Sequence, residues 1–194
     1  MNAALRLTHD ASQVGTQLCT QPWRQRPYRE TLALGGQRRV TLRPAHHSDA
    51  QALQDFYSAL SPRSRLLRFH GAVNRLPDTV LRRFTHQVAH QHVALLATSG
   101  TAAGLPLLVG EARYVVDRTA AHSAEFAVAV ADDWQGLGLG RAMIQRLCIH
   151  AQAEGLRSLH SVVMAGNEGM LGLLHQLGAE LYADATEVQA TLRL

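Results

Sequence analysis

The spacing of apolar residues changes along the chain and predicts a mixture of strands and helices. Residues 38–44 alternate apolar and polar side chains with a period of two, which is typical of a strand, and a proline ends the run. Three short helical segments follow, and each has a recognisable start: Ser48 as an N-cap, Ser61 as an N-cap before Pro62, and Asp78.

Three apolar runs in the middle of the chain predict an antiparallel meander. Residues 92–99, 105–117 and 124–131 each have the length and apolar content of a strand. Short turn segments join them, "TAAG" at residues 101–104 and "DRTAAHS" at residues 117–123. Strands joined by such short turns usually pair with each other, so we expect three neighbouring strands here.

The C-terminal third returns to a helical period and then to strands. Leu139, Met143, Leu147 and Ala151 form one apolar stripe at a spacing of four, and Gly155 is a typical helix stop. A strand, a short helix and a closing hairpin complete the pattern. The order of elements predicts an α+β domain with a mixed, mostly antiparallel sheet of six to seven strands flanked by helices.

The first 36 residues differ from the rest of the chain. They are polar, contain Pro22 and Pro27, and run into a glycine pair. We therefore expect residues 1–36 to be an arm that is flexible or loosely docked, and residues 37–194 to be one folded domain.

Composition narrows the classes of protein and of partner. With 46% hydrophobic and 18% charged residues, the chain is typical of a globular protein. No run approaches the roughly 18 apolar residues of a membrane span, and the first 30 residues lack the apolar segment of a signal peptide, so we expect a cytoplasmic protein without a membrane partner. The two cysteines and the histidine spacing match no zinc site, so we expect no metal.

The charge of the chain is carried in an unusual way. The net charge is +4, and every one of the 19 basic residues is arginine. The favoured explanation for arginine without lysine is genomic composition bias. The alternative is that a lysine-modifying enzyme gains from having no lysine of its own. A basic balance suits anionic ligands, but the arginine clusters are scattered and lack interleaved aromatic residues, so nucleic acid is not the expected partner.

The segment "DDWQGLGLGRAM", residues 132–143, places three glycines directly before the long helix. A glycine-rich turn at a helix N-terminus forms an anion site, because the first N–H groups are unpaired and the helix dipole is positive there. The segment matches neither the dinucleotide fingerprint nor the P-loop, but it fits Q-x-x-G-x-G with Gln135, Gly138 and Gly140. A tight turn without a ligand is the alternative, although one glycine would suffice for a turn.

With this motif, residues 124–180 resemble the acyl-CoA-binding half of the GNAT superfamily of N-acetyltransferases. The resemblance rests on the glycine segment, the strand before it, the helix after it and "AGN" at residues 165–167. Residues 42–69 resemble, more narrowly, the acetyltransferase domain of bacterial protein lysine acetyltransferases. The resemblance covers about residues 38–183 and implies a sheet that is splayed between its fourth and fifth strands.

The resemblance also implies acetyl-CoA as the cosubstrate. In the family, the pyrophosphate lies on the N–H groups of the glycine loop, the pantetheine arm pairs with the edge of the preceding strand, and an asparagine further on contacts the cofactor. The matching positions are Val128, Val130, Gln135, Gly136, Leu137, Gly138, Gly140, Arg141 and Asn167. Asn167 is equally suited to be the N-cap of the short helix, and the two roles are compatible.

Acetyl transfer to an amine requires a neutral nucleophile, whereas a lysine has a pKa of about 10.4. A carboxylate near the thioester is an apt general base. Glu125 is the only acid in its strand and lies where members resembling this chain carry their catalytic glutamate; the alternative is a surface carboxylate at the strand end. Glu111 is the rival base, or a partner of Arg113. The backbone N–H of Val128 is the candidate for holding the oxyanion.

The chain departs from the wider superfamily at the position of the general acid. Many members carry a tyrosine about seven residues after the asparagine, where this chain has Leu174, and Tyr182 lies too far along to replace it. We therefore assign no acid to the leaving thiolate.

Taken together, these features predict an acetyl-CoA-dependent N-acetyltransferase that uses direct attack by an amine, with Glu125 as the base. The acceptor is expected to be a protein lysine, and the resemblance to bacterial protein lysine acetyltransferases implies acyl-CoA synthetases as the candidate proteins. The alternatives are a small-molecule amine acetyltransferase and a non-catalytic acyl-CoA-binding or sensing module. We expect a monomer or a homodimer.

Overall fold

The structure is a computed structural model that describes residues 28–88, 90–100, 106–120 and 122–194. Most of the predicted arm and the whole "TAAG" turn lie outside the described residues.

The described strands form a single mixed sheet in the order β1-β2-β3-β4-β5-β6-β8-β7. All neighbouring pairs are antiparallel except β5 and β6, which run parallel. The predicted meander is confirmed as β3, β4 and β5. The strand bounds are β1 (Glu30–Ala33), β2 (Arg39–Pro44), β3 (His92–Ser99), β4 (Leu107–Val116), β5 (Ser123–Val130), β6 (Ser158–Met164), β7 (Glu180–Asp184) and β8 (Glu187–Arg193).

Helices cover both faces of the sheet, and each face has its own apolar cluster. One face carries the first three helices in the chain and the other face carries the last two. This arrangement confirms the predicted α+β class. The helix bounds are α1 (Ala50–Ala59), α2 (Pro62–Phe69), α3 (Asp78–Thr85), α4 (Leu139–Ala153) and α5 (Glu168–Gln176).

The helix starts follow the sequence signals with one exception. Ser61 caps α2, since its hydroxyl accepts a hydrogen bond from Ser64 N at 3.1 Å and Pro62 is the first helical residue. Ser48 does not cap α1, because a 3₁₀ turn (His47–Asp49) precedes that helix. The carboxylate of Asp49 closes this turn by accepting hydrogen bonds from His46 N and from the Arg43 guanidinium.

The predicted stripe of α4 is the centre of the larger apolar cluster. Leu139, Met143, Leu147 and Ala151 are all buried against the sheet. The helix approaches β4 closely at Gly110, where an added Cβ would lie 3.0 Å from Met143 Sδ and 3.3 Å from a Leu139 methyl carbon. A bare backbone at this position therefore sets the distance between α4 and the sheet.

The sheet has eight described strands rather than six to seven, because β1 lies within the residues that the sequence assigns to the arm. Glu30 of β1 accepts hydrogen bonds from Arg146 Nε at 2.7 Å and Arg146 Nη2 at 2.5 Å, which tie the strand to α4. Tyr28 also donates a hydrogen bond to Glu30. This strand has only four residues and its anchor is 116 positions away in sequence, so local periodicity carries no signal for it.

The parallel pair β5 and β6 separates soon after it begins. Only Ser123–Glu125 of β5 are in register with Ser158–His160 of β6, although both strands continue for several residues. Beyond that point β5 stays paired with β4 and β6 stays paired with β8. The sheet is therefore splayed, at the strand pair where the sequence resemblance predicts it once the extra strand β1 is counted.

None of the helices in the described part of the chain has the length and apolar character needed to cross a bilayer.

The close approach at Gly110 leads to a stability prediction. Gly110→Val should lower the free energy of unfolding by about 1–3 kcal/mol, because the added methyl groups overlap Met143 and Leu139. Gly172→Ala, in α5 with open space around the position, should instead raise it by about 0.5–1 kcal/mol. Urea unfolding of both variants checks the pair, and an unchanged midpoint for Gly110→Val would contradict the packing argument.

Candidate functional site

The separation of β5 and β6 opens a cavity of about 530 Å³ that reaches the N-terminus of α4. Residues from β5, β6, α2, α5 and the glycine segment line it. Beyond Glu125 the edge of β5 that faces β6 has no strand partner, so this edge is available for main-chain pairing with an extended ligand.

The glycine segment presents the bare start of α4 to this cavity. Gly136 and Gly138 have φ angles of +71° and +90°, which favour glycine, and Gly138 occupies the N-cap position without a side-chain hydrogen bond. The first N–H group that donates within the helix is that of Ala142, to Gly138 O at 3.0 Å. The N–H groups before it are unpaired as at any uncapped helix start, which makes this end a site for an anion.

Asp132 holds the glycine segment against α2. Its carboxylate accepts hydrogen bonds from Ser61 N at 2.9 Å, Ser61 Oγ at 2.8 Å and Ser64 Oγ at 2.7 Å. Burial alone would raise the pKa of Asp132, but these hydrogen bonds hold it below the usual range of an aspartate. The ionised carboxylate therefore fixes the start of α2 and the glycine segment relative to each other across the cavity.

A second contact holds the other side of the segment. Gly35 N donates to Leu137 O at 3.3 Å, and Arg38 Nη1 donates to Asp133 O at 2.5 Å. The Arg38 guanidinium also lies 4.7 Å from the centre of the Trp134 ring. The chain between β1 and β2 therefore positions the loop that leads into α4.

The structure brings together in this cavity every residue that the sequence predicts for the cofactor, except Leu137, which contacts Gly35 outside the lining. Gln135 does not point freely into solvent, because its amide donates to Val130 O at 3.1 Å and closes the turn after β5. Arg141 donates a hydrogen bond to Gln176 of α5. Asn167 accepts a hydrogen bond from Met170 N at 3.2 Å, so it caps α5 and lines the cavity at the same time.

Glu125 lies at the last register pair before β5 and β6 separate, opposite His160 on β6 and Val115 on β4. Its side chain is exposed and makes no ion pair or hydrogen bond within the described residues. Alternation along β5 puts it on the same face as Ala127, the first residue of β5 that lines the cavity. Glu125 is thus placed at the end of the cavity and is not part of its wall.

Glu111 is in the opposite situation, because it is fully buried and both of its oxygens are bound. Tyr57 donates to Oε2 at 2.6 Å, Arg113 Nε donates to Oε1 at 2.6 Å, and Arg68 Nη2 lies 3.5 Å from Oε2. Burial alone would raise the pKa of Glu111, but the two arginines hold it below the usual range of a glutamate. The carboxylate is a structural anion with little capacity to take up a proton.

Several lining residues carry no motif that sequence reasoning uses. Ser64, Arg68 and His70 of the α2 region and Ser161 of β6 all line the cavity. His70 has a φ angle of 52°, and its Nδ1 lies 3.1 Å from Glu187 Oε1 on β8. The only sequence signal that could have predicted Ser64, Arg68 and His70 as lining residues is their spacing along the helix that follows the Ser61 cap.

Neither position considered for a general acid provides one in the cavity. Leu174 is completely buried in α5, and Tyr182 is 71% exposed on the edge strand β7 and does not line the cavity. The described residues also contain no cluster of three or more histidine, cysteine, aspartate or glutamate side chains placed to hold a metal ion.

Comparison with known proteins agrees with this geometry. Residues 51–179 match the model of the acetyltransferase (GNAT) family. A Pseudomonas aeruginosa protein named Acetyltransferase PA5475 is 32% identical over 144 residues, which cover 73% of this chain and 75% of the relative. Acetyltransferase Pat from Mycolicibacterium smegmatis is 27% identical over 71% of this chain, and the match spans 40% of that longer protein.

Solved structures give the same result. The GNAT domain of S. lividans PAT superposes with a TM-score of 0.77 at 25% identity, over 86% of this chain and 97% of that domain. A cAMP-binding acyltransferase from Mycobacterium smegmatis shares the fold with a TM-score of 0.61 at 21% identity, over 86% of this chain and 47% of that protein. The chain belongs to the GNAT acetyltransferase family.

Proposed function

We propose that the chain is an acetyl-CoA-dependent N-acetyltransferase that uses Glu125 as general base and acts on a protein lysine. The observation that carries the proposal is the single cavity that joins the uncapped start of α4 to the unpaired edge of β5. One end of this cavity suits a pyrophosphate, and the unpaired edge of β5 suits main-chain pairing with an extended pantetheine arm. Acetyl-CoA supplies an activated acetyl group as a thioester.

The residues of the chain divide the binding of this cosubstrate between them. The N–H groups at Gly138, Gly140 and Arg141 receive the pyrophosphate at the helix start. The edges of β5 at Val128 and Val130 receive the pantetheine, which directs the thioester towards Glu125. The Val128 N–H is the proposed donor to the carbonyl oxygen as it gains charge.

The chemical step follows from the position of Glu125. The amine nitrogen bonds to the thioester carbon, the carbon–sulfur bond breaks, and sulfur leaves with the bond electrons. Glu125 takes the proton that the amine loses, and the proton then returns to sulfur through solvent. Glu125 suits this role because no cation among the described residues neutralises it, whereas Glu111 already serves two arginines.

The protein acceptor is supported by the likeness to Pat proteins and by the absence of lysine from the chain. A small-molecule amine is the second candidate, because an L-methionine sulfoximine/L-methionine sulfone acetyltransferase from Pseudomonas aeruginosa is 36% identical over 64 residues, a third of this chain. The lack of an ion pair at Glu125 argues against a non-catalytic acyl-CoA-binding module, in which a paired carboxylate would be expected.

Cofactor binding is tested at the glycine segment. Gly138→Asp should weaken CoA binding at least about tenfold, because the new carboxylate repels the pyrophosphate at the helix start. Gly178→Asp is the matched control, since Gly178 also has a positive φ, of 80°, but does not line the cavity. Isothermal titration calorimetry measures the affinity of both variants for CoA. Equal losses of affinity would show that backbone strain, and not repulsion of the pyrophosphate, weakens binding.

The general base is tested by Glu125→Gln. Acetyl transfer to a lysine peptide should fall about 10²- to 10⁴-fold in kcat, while the Kd for CoA stays unchanged. Glu180→Gln, an exposed glutamate on β7 outside the cavity, should have full activity.

A second substrate separates proton removal from a merely structural effect. A peptide with γ-thialysine in place of lysine carries an amine that loses its proton more readily, so Glu125→Gln should lose less activity on it than on lysine. An equal loss on both peptides would show that Glu125 is not the base.

The absence of lysine gives a further expectation. Long incubation with acetyl-CoA should produce no side-chain Nε-acetylation, since no Nε amine is present. Intact-mass and peptide mass spectrometry should therefore find any added acetyl group only at the N-terminus or on a non-lysine nucleophile such as a cysteine or a histidine. Recovery of wild-type enzyme after incubation should equal that of an untreated sample, and progressive loss of activity would contradict this expectation.

A further inference from the structure

A second groove, of about 880 Å³, lies on the α1–α3 face between α3 and the end of β4. Its floor includes Arg113 and Val115 of β4. Its walls include α3, lining residues that follow α3, and lining residues that follow β4. It shares no lining residue with the cofactor cavity, so the two are separate openings of the structure.

The groove ends beside the proposed base. Val115 lines the groove and is the register partner of Glu125 on β5, so the two side chains leave the sheet on the same face at neighbouring positions. Asp117, another lining residue, lies 3.5 Å from His160, the partner of Glu125 on β6. A chain seated in the groove therefore passes the residue at which the two strands separate.

The rim of the groove is positively charged. Arg82 and Arg83 of α3 and Arg118 after β4 are exposed, and none of the three guanidinium groups has an ion pair or hydrogen bond within the described residues. Asp117 is the one acidic lining residue in the described chain, and it already faces His160. Arg113 is neutralised by Glu111 below the floor, so the uncompensated charge belongs to the three rim arginines.

The floor has unsatisfied polar groups. Arg113 packs on the Phe84 ring, and its Nη1 is buried without a hydrogen-bond partner. His92 Nδ1 lies 2.9 Å from His86 O, and its Nε2 is also buried and unpartnered. Since Nδ1–H donates to that carbonyl, Nε2 is left as an acceptor. Both atoms lie beneath the surface of the floor, so a ligand seated in the groove meets the rim arginines and not these atoms.

We propose that this groove binds the acceptor as an extended polypeptide with aspartate or glutamate residues beside the target lysine. The carboxylates of the peptide pair with Arg82, Arg83 and Arg118. Val88 and Val115, which are 37% and 44% exposed, give the peptide apolar contacts between the charged ones. The proposal rests on the proposed transfer to a protein lysine and adds what selects that lysine.

Binding is measured first, by fluorescence anisotropy without acetyl transfer. A labelled peptide with acidic residues flanking one lysine is compared with the same peptide carrying asparagine and glutamine at those positions, with and without saturating CoA. Wild-type protein should bind the acidic peptide at least about fivefold more tightly, and the preference should shrink as salt is raised.

Variants then assign the preference to the groove. The double variant Arg82→Gln/Arg83→Gln and, separately, Arg118→Gln should each lower the ratio of the two peptides' affinities. The double variant should bring this ratio close to one. Arg29→Gln/Arg39→Gln removes two exposed arginines from the β1–β2 edge and should leave the ratio at the wild-type value. A wild-type ratio near one, or a ratio that falls equally in the control, would overturn the proposal.

Acetyl transfer to the same two peptides separates this proposal from the proposed function. If the acidic peptide binds by the rim arginines but receives no acetyl group, the groove is a peptide site and the transferase proposal fails. If both peptides are acetylated with the same KM in wild type and variants, the transferase proposal stands and the groove proposal fails.

Discussion

The arrangement of this protein depends on one constraint, the short parallel pairing of β5 with β6. Each strand has a better partner on its other side, since β5 is in register with β4 along seven residue pairs and β6 with β8 along seven. The two halves of the sheet can therefore diverge after three pairs without losing either half. The divergence exposes a strand edge inside the fold, where it is protected from other chains yet open to a ligand.

The exposed edge is useful only because the start of α4 lies at its end. Two sets of contacts hold that start in place, the hydrogen bonds from the α2 cap to Asp132 and the contacts of residues 35–38 with the glycine segment. The apolar stripe of α4 and the bare backbone of Gly110 hold the helix close to the sheet from below. The glycines can then leave the helix N–H groups uncovered, because stability at this end comes from contacts outside the segment.

Sequence patterns predicted most of the fold, but of the cavity lining they predicted only residues of β5 and the glycine segment together with Asn167, and the failures have a common cause. The α4 stripe, the Ser61 cap and the glycine segment are local signals, and the structure places them as expected. The strand β1 and the Tyr57–Glu111–Arg68 cluster depend on partners 116 and 54 positions apart, which no local period records. Leu137 combines a local signal with a distant contact. Its position within the glycine motif was clear from the sequence, but its contact with Gly35 depends on a segment assigned to the arm.

The comparison of Glu111 with Glu125 shows why position in the sheet, and not residue type, decides the chemistry of an acid. The two glutamates lie on adjacent strands and on the same face of the sheet, but Glu111 is level with Ala129 whereas Glu125 is level with Val115. The level of Ala129 is covered by α1 and α2, so a charge there requires Arg68 and Arg113 to be tolerated, and they also suppress its basicity. The level of Val115 is open, so the Glu125 carboxylate is exposed to solvent and needs no cation. An acid that needs two arginines to be buried is thereby unfit as a base, and the position of Glu125 at the open end of the splay is the reason we propose it for that role.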